Sequence, residues 1–301
     1  MKSEKQTGFI NMRTIPYLMV LPAMAVIAVF MFYPIFKTFY NSFHYYILTR
    51  PKDYGFIGFG NYVKLFNDPL FYKALKNTLI WTFYNVILQC SLGLLVALLM
   101  NVEFKGRKFF RMIVFSPWAF GGMLVALIFS YMFTGQTGVI NDLLIKAGII
   151  DHRISWFATG TLARATLIFT TTWRGIPFFA ISFLAALQSI PGDYYEAADV
   201  DGASSFYQFR KITLPLIKNT IILTTMLRTI WTFNIVDIIA GMTDGGPNNS
   251  TMTLPHYLMT KFNEGLDIGY SSTMAAVMAL ILAVFAVAYV IVGGFGKEGD
   301  L

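Results

Sequence analysis

Four stretches of this chain, residues 15–33, 78–100, 112–133 and 274–292, run long and apolar without one charged side chain. A helix of about 20 apolar residues crosses roughly 30 Å of hydrocarbon. Backbone polar groups inside a bilayer must be satisfied internally, so spans of this length are helices. Two further stretches, 166–190 and 220–239, meet the length but each carries an arginine. The expected fold is therefore an all-α integral membrane protein with six transmembrane helices. Composition agrees: 56% of residues are hydrophobic and 13% charged, against about 25% charged in a soluble domain.

The net charge of +7 comes from basic residues scattered between the spans, with no stripe or patch. That distribution excludes nucleic acid as a partner and fits orientation in a lipid bilayer. Cys90 is the only cysteine, so no disulfide forms within the chain. His44, His152 and His256 lie far apart and near no cysteine, so no metal site is expected. Gly296-Lys297 is followed by Glu298 rather than Ser or Thr, so no phosphate-binding loop is present. If ATP is used, another chain binds it. Ala23-Met24-Ala25 looks like a signal cleavage site but sits inside its apolar run, which marks an uncleaved first helix.

One membrane domain is expected over 15–293, between a polar segment 1–14 and a tail 294–301. An even number of crossings puts both termini on one side. Basic residues divide almost evenly between the two sides, but Lys105, Arg107, Lys108 and Arg111 crowd a short loop, the kind that faces the cytoplasm.

The longest patterned polar stretch lies between the fourth and fifth spans, over 191–215. Pro191 and Asp193 suit a helix start, with Asp193 as a cap, and Gly202 can stop that helix at a positive φ. Ser204 or Ser205 can cap a second helix, in which Phe206, Phe209 and Ile212 share an apolar face. The expected product is a compact helix–turn–helix knob with acidic Glu196, Asp199 and Asp201. Its sequence resembles the coupling loop of permease subunits of ATP-binding-cassette importers, E-A-A-x3-G-x9-I-x-L-P. Here Glu196, Ala197, Ala198, Gly202, Ile212, Leu214 and Pro215 keep every spacing. The resemblance implies that these residues couple the chain to an ATPase on the cytoplasmic side.

Two spans carry polar groups at depth. The fourth holds Thr170, Thr171, Thr172, Trp173, Arg174 and Gly175 ahead of Pro177; the fifth holds Thr224, Thr225, Arg228, Thr232, Asn234 and Asp237. An arginine at mid-membrane costs about 2.5–3.5 kcal/mol on insertion scales, so it must face a cavity, a carboxylate or backbone carbonyls. In a straight helix Asp237 lies opposite Arg228, nine positions away, so the two should not pair. Structural and cargo-facing roles both remain open for the arginines. Trp173 beside Arg174 favours cargo, because aromatic faces stack on sugar rings. A guanidinium at low dielectric also pairs well with a carboxylate, which makes an acidic sugar a candidate beside a neutral oligosaccharide.

A second resemblance covers Trp231-Thr232-Phe233-Asn234, Asp237 and Thr243 to Thr251, similar to the W-x-F-N…D…T-x-G-G-P-x-N-x-T stretch of carbohydrate-uptake permeases of the maltose-transporter type. Gly58, Asn61 and Tyr62 look like the G-x-x-N-Y region that precedes the second helix in the same family. The resemblance implies a substrate site lined by the fourth and fifth spans, here Thr171, Trp173, Arg174, Gly175, Phe178, Arg228, Thr232, Asn234 and Ile235. Ile235 and Val236 stand where relatives often carry polar or aromatic residues. The family also implies a second, non-identical permease, two ATPase subunits holding ATP and magnesium, and an external solute-binding protein, in a bacterial or archaeal cytoplasmic membrane. No cofactor is expected on this chain, and no catalysis. A secondary carrier has no use for the acidic knob. An intramembrane enzyme lacks its constellation, since the chain has neither H-E-x-x-H nor a histidine near Cys90. An amino-acid or phosphate importer subunit would share the knob but not the W-x-F-N stretch.

Overall fold

The computed structural model describes residues 15–293; the expected polar segment 1–14 and tail 294–301 lie outside the described residues. The described residues are helical throughout most of their length. The one sheet among them is an antiparallel hairpin of β1 (His44–Tyr45) and β2 (Gly55–Phe56). Two compact units emerge. One takes residues up to Asn67 together with Lys261–Val277, and the other takes Asp68–Thr260 with residues from Met278 onward.

In the first unit, α1 (Ile15–Ile27) passes through a π-helical turn, Ala28–Phe32, into α2 (Tyr33–Ser42). The resulting apolar helix Pro16–Ser42 outruns the expected end at residue 33, and its most apolar window buries none of its residues. After the hairpin comes α3 (Gly60–Phe66). The G-x-x-N-Y stretch acts here as a clasp. Asn61 donates its side-chain amide to the carbonyls of Ser42 at 3.1 Å and His44 at 2.9 Å, and Tyr62 and Ser42 share a hydroxyl hydrogen bond of 2.8 Å. Thr273 donates to the same Ser42 carbonyl at 3.1 Å.

The second unit is built on α4 (Pro69–Asn101) packed along α8 (Gly160–Gln188). The first of these starts at Pro69 rather than 78 because Asp68 caps it, accepting from the Leu70 amide at 2.9 Å, with proline at the first position. Glycines set how closely the pair approaches. A side chain on Gly93 would overlap Phe179, and one on Gly175 would overlap Gln89. The flanking cores are aromatic: Trp81, Phe129, Phe133, Leu167, Ile238 and Ile239 form one, and Met100, Phe178, Phe179, Phe183 and Ile217 anchor the other.

Two expected spans are broken. In place of one helix over 112–133, α5 (Arg107–Phe115) and a 3-10 turn, Ser116–Ala119, meet α6 (Gly122–Met132) at a bend of 101°. Pro117 cannot donate to the helical ladder, and Gly121-Gly122 lowers the cost of turning. Next come α7 (Val139–Lys146), α9 (Asp193–Val200), α10 (Ser205–Gln208) and α11 (Leu214–Leu216). The expected span over 220–239 divides into α12 (Lys218–Phe233) and α13 (Asp237–Met242), with the break at 234–236. The chain ends in α14 (Leu254–Gly265) and α15 (Ile268–Gly293), each with residues in both units. Four of these helices are long and apolar enough to cross a membrane, or five if the bent pair counts as one crossing.

The α4–α8 seam should be the least tolerant part of the second unit. Gly93→Leu is expected to push α4 away from α8, since the new Cβ would meet the Phe179 Cβ and the backbone beside it, at a cost of about 1–3 kcal/mol or more. Thermal unfolding of the purified protein should show a lowered midpoint, and an unchanged midpoint would contradict this packing.

Candidate functional site

The two breaks coincide in space, because α13 packs against α6. Gly122, at the first turn of α6, leaves the room that the Asp237 carboxylate occupies; any side chain there would overlap it. The turn after Asn234 re-aims Asp237, so the straight-helix expectation for this residue gives way to a different partner. Its Oδ2 lies 3.9 Å from Arg174 Nη1, with the two side chains 40% and 28% exposed. Arg174 sits near the middle of α8, which begins at Gly160, deeper than the shorter expected span implied.

Arg228 is buried and its Nε donates to Gln89 Oε1 at 2.6 Å. Gln89 Nε2 donates to the Thr171 carbonyl at 3.0 Å and to Asn85 Oδ1 at 3.4 Å, an oxygen that also accepts from the Thr172 hydroxyl at 3.4 Å. Asn85 donates to the Trp81 carbonyl at 2.9 Å, and Trp81 Nε1 to the Thr232 carbonyl at 3.1 Å. This network joins the middles of α4 and α8 to the C-terminal part of α12. Gly175 belongs to it, since the Gln89 side chain lies where its Cβ would be.

The nine residues expected at the substrate site therefore divide. Thr171, Gly175, Arg228 and Thr232 are buried in the helix packing. Trp173 is half-buried, its ring 5.1 Å from that of Phe129, and Ile235 packs on the same core. Phe178 is buried between two tryptophan rings, Trp231 at 5.1 Å and Trp118 at 6.2 Å. Both tryptophans are 49% exposed. Arg174 and Asn234 reach the surface. Trp118, Trp231 and Asn234 are exposed and Arg174 and Asp237 partly so; because Phe178 lies one helical turn after Arg174 and touches both tryptophans, the five line one partly exposed wall. Sequence reasoning left Asn85, Gln89, Trp118 and Asp237 out of the site. The available signal was the pair of amides one helical turn apart in an uncharged span.

In the 191–215 stretch, α9 is followed by Gly202 at φ +74, and Ser204 caps α10 by accepting from the Tyr207 amide at 3.3 Å. The cap of α9 is Gly192, so Asp193 is its first helical residue. Tyr195 and Thr213 share a hydrogen bond of 2.9 Å, and Gln208 donates to Asp199 at 2.5 Å, closing the two arms on each other. The second arm passes through a π-helical turn, Phe209–Thr213, which carries Ile212 before Leu214 and Pro215. Glu196 and Ala197 are exposed and Ala198 half-buried, while Val200 is 89% and Phe206 72% exposed.

The loop from Thr243 to Thr251 has a structural account. Asp244, Gly245, Asn248 and Asn249 all take left-handed φ values, and Asn77 of α4 donates to the carbonyls of Asn249 at 3.0 Å and Met252 at 2.9 Å. Thr243 and Thr251 close it with a 2.9 Å hydroxyl contact.

Gln89 is the residue on which the interior depends. Gln89→Leu should leave the Arg228 guanidinium buried without its acceptor, a loss of about 1.5–3 kcal/mol or more. Gln89→Glu supplies a carboxylate and should recover most of it. Melting of the purified variants tests this, and equal midpoints for Leu and Glu would contradict it.

The family described as binding-protein-dependent transport system inner membrane component matches residues 89–295. The chain is 38% identical to the sulfoquinovosyl glycerol transport system permease protein of Agrobacterium fabrum, over 91% of this chain and 89% of that one. It is 34% identical to the trehalose/maltose transport system permease protein of Thermococcus litoralis, over 94% of each. Among solved structures it resembles a chain of a bacterial ABC transporter involved in the import of the acidic polysaccharide alginate, with TM-score 0.81 and 25% identity, covering 95% of this chain and 97% of that one.

Proposed function

The chain belongs to the family of binding-protein-dependent transport system inner membrane components, and we propose that it is one permease subunit of an ATP-driven sugar importer. Its relatives from Thermococcus litoralis and Rhizobium radiobacter are named as permeases for trehalose/maltose and for lactose. The observation that carries the reading is the exposed wall. Arg174 presents charge near the middle of a long apolar helix, with Asp237 brought beside it from the start of α13, and contact of either with hydrocarbon is costly. A polar cavity closed by a second subunit removes that cost. The flanking tryptophans and Asn234 offer ring faces and an amide of the kind that holds a pyranose.

In this reading the chain crosses the membrane six times, two crossings being the broken pairs, with both termini in the cytoplasm. The partners are a second, non-identical permease, an external solute-binding protein and two ATPase subunits that hold ATP and magnesium. A complex of the bacterial alginate transporter with a periplasmic protein supports a binding-protein partner for this fold. The 191–215 knob docks on an ATPase through Glu196, Ala197, Ala198 and the exposed Val200. Its two arms are tied together, so a push on one moves both, and α8 and α12 leave it directly for the wall. ATP-driven closure of the ATPases then opens the wall outward, and release reverses it.

Two changes test the coupling. Glu196→Lys reverses a charge at the dock, and Gly202→Val forbids the positive φ on which the turn depends. Both should leave the protein inserted while ATPase association weakens on the order of a hundredfold for Glu196→Lys. Co-purification and sugar uptake are the readouts, and normal values for both variants would rule out the knob as the coupling element.

A further inference from the structure

The charges around the wall do not balance. Two guanidiniums flank Gln89: Arg228 donates to its side chain at 2.6 Å, and Arg174 adjoins Gly175, against which that side chain lies. One carboxylate, Asp237, faces Arg174, and none pairs with Arg228 among the described residues. Its contact with Arg174 is 3.9 Å, longer than the roughly 2.7–2.9 Å of a tight charge-assisted hydrogen bond. Arg228 is held by a neutral amide, and among the described residues no ion pair reaches it. A surplus positive charge therefore sits near mid-membrane beside a surface lined by Trp118 and Trp231. Burial raises the cost of an unpaired charge, and an anion arriving there is drawn by more than the wall's hydrogen bonds.

We propose that the cargo is a sugar carrying an anionic group, which Arg174 takes in a two-pronged contact as it lets go of Asp237. Asp237 then remains as an acceptor for a neighbouring hydroxyl. The loose pair is suited to that exchange, because a tight one would resist it and an isolated arginine would be costly in the empty state. Arg228 adds long-range attraction from behind Gln89 without touching the cargo. The inference rests on the exposed wall being the cargo face.

The test uses the assembled importer in detergent, with three probes: D-glucuronate, D-glucose and acetate. Glucuronate should stabilise the complex against heating at lower concentration than glucose, and acetate, which has the charge but no ring, should not. Arg174→Gln should cut the advantage of glucuronate over glucose by about tenfold, the value of one charge-assisted contact. Asp237→Asn removes the competing carboxylate and should enlarge that advantage, which keeps the test decisive if the arginine variant fails to assemble. Equal shifts for the two sugars, a preference for glucose, a shift with acetate alone, no shift at millimolar probe, or an unaltered preference in either variant would overturn the proposal. A complex that assembles and hydrolyses ATP yet ignores the charge refutes this inference alone. Failure of any ATPase to co-purify refutes the importer reading beneath it.

Discussion

A guanidinium buried among membrane-spanning helices must find an acceptor, and Arg228 finds Gln89 at 2.6 Å. Much of the second unit follows from that bond. Gln89 can reach Arg228 only because Gly175 has no side chain, and it is held in place by its own donation to the Thr171 carbonyl. Asn85, one turn earlier, carries the same pattern to Trp81 and so to Thr232. Hydrogen bonds in a low-dielectric interior reinforce one another when every member is satisfied. Three helices are thereby fixed in register, and the glycine contacts of the α4–α8 seam complete the fit.

Against this fixed interior, the broken helices bring Asp237 to Arg174. An unbroken span over 220–239 would have put Asp237 on the helix face opposite Arg228. The break at 234–236 turns it onto Arg174, and Gly122, just past the break of the other span, gives it room. Irregular backbone at membrane depth is tolerated where it lines a polar cavity or is covered by protein. Both breaks lie beside the exposed wall, so the departures from regular helix and the polar face share one cause.

The class of fold was legible in the chain because span length is a strong constraint, and the local form of the 191–215 stretch because cap and turn chemistry is local. Gly202 takes its positive φ and Ser204 its capping bond as their residue types dictate. The breaks were less legible. Pro117 and Gly121-Gly122 sit in an uncharged run that reads as one span, and the break after Asn234 has no proline to mark it. The division of the substrate residues was hidden for another reason. Thr171 and Arg174 are three positions apart on one helix, and which of them faces inward depends on Gln89, a residue far away in sequence. Asn61 and Asn77 show the same limit. Each belongs to a recognisable pattern or span end, but only their distant carbonyl partners reveal that they are clasps.

The knob joins the ends of α8 and α12, Arg174 lies midway along α8, and Trp231 lies near the far end of α12; on this account α8 and α12 move as one piece because the Gln89 network joins them. The central claim is that the face bearing Arg174, Asp237 and Asn234 meets water rather than lipid. The most direct measurement places a single cysteine at Asn234, with Cys90 replaced, in the complete importer. A charged, water-soluble thiol reagent should modify it, and cargo delivered by the binding protein should slow the reaction. Modification by a lipid-soluble reagent alone, with none by the charged one, would contradict the account.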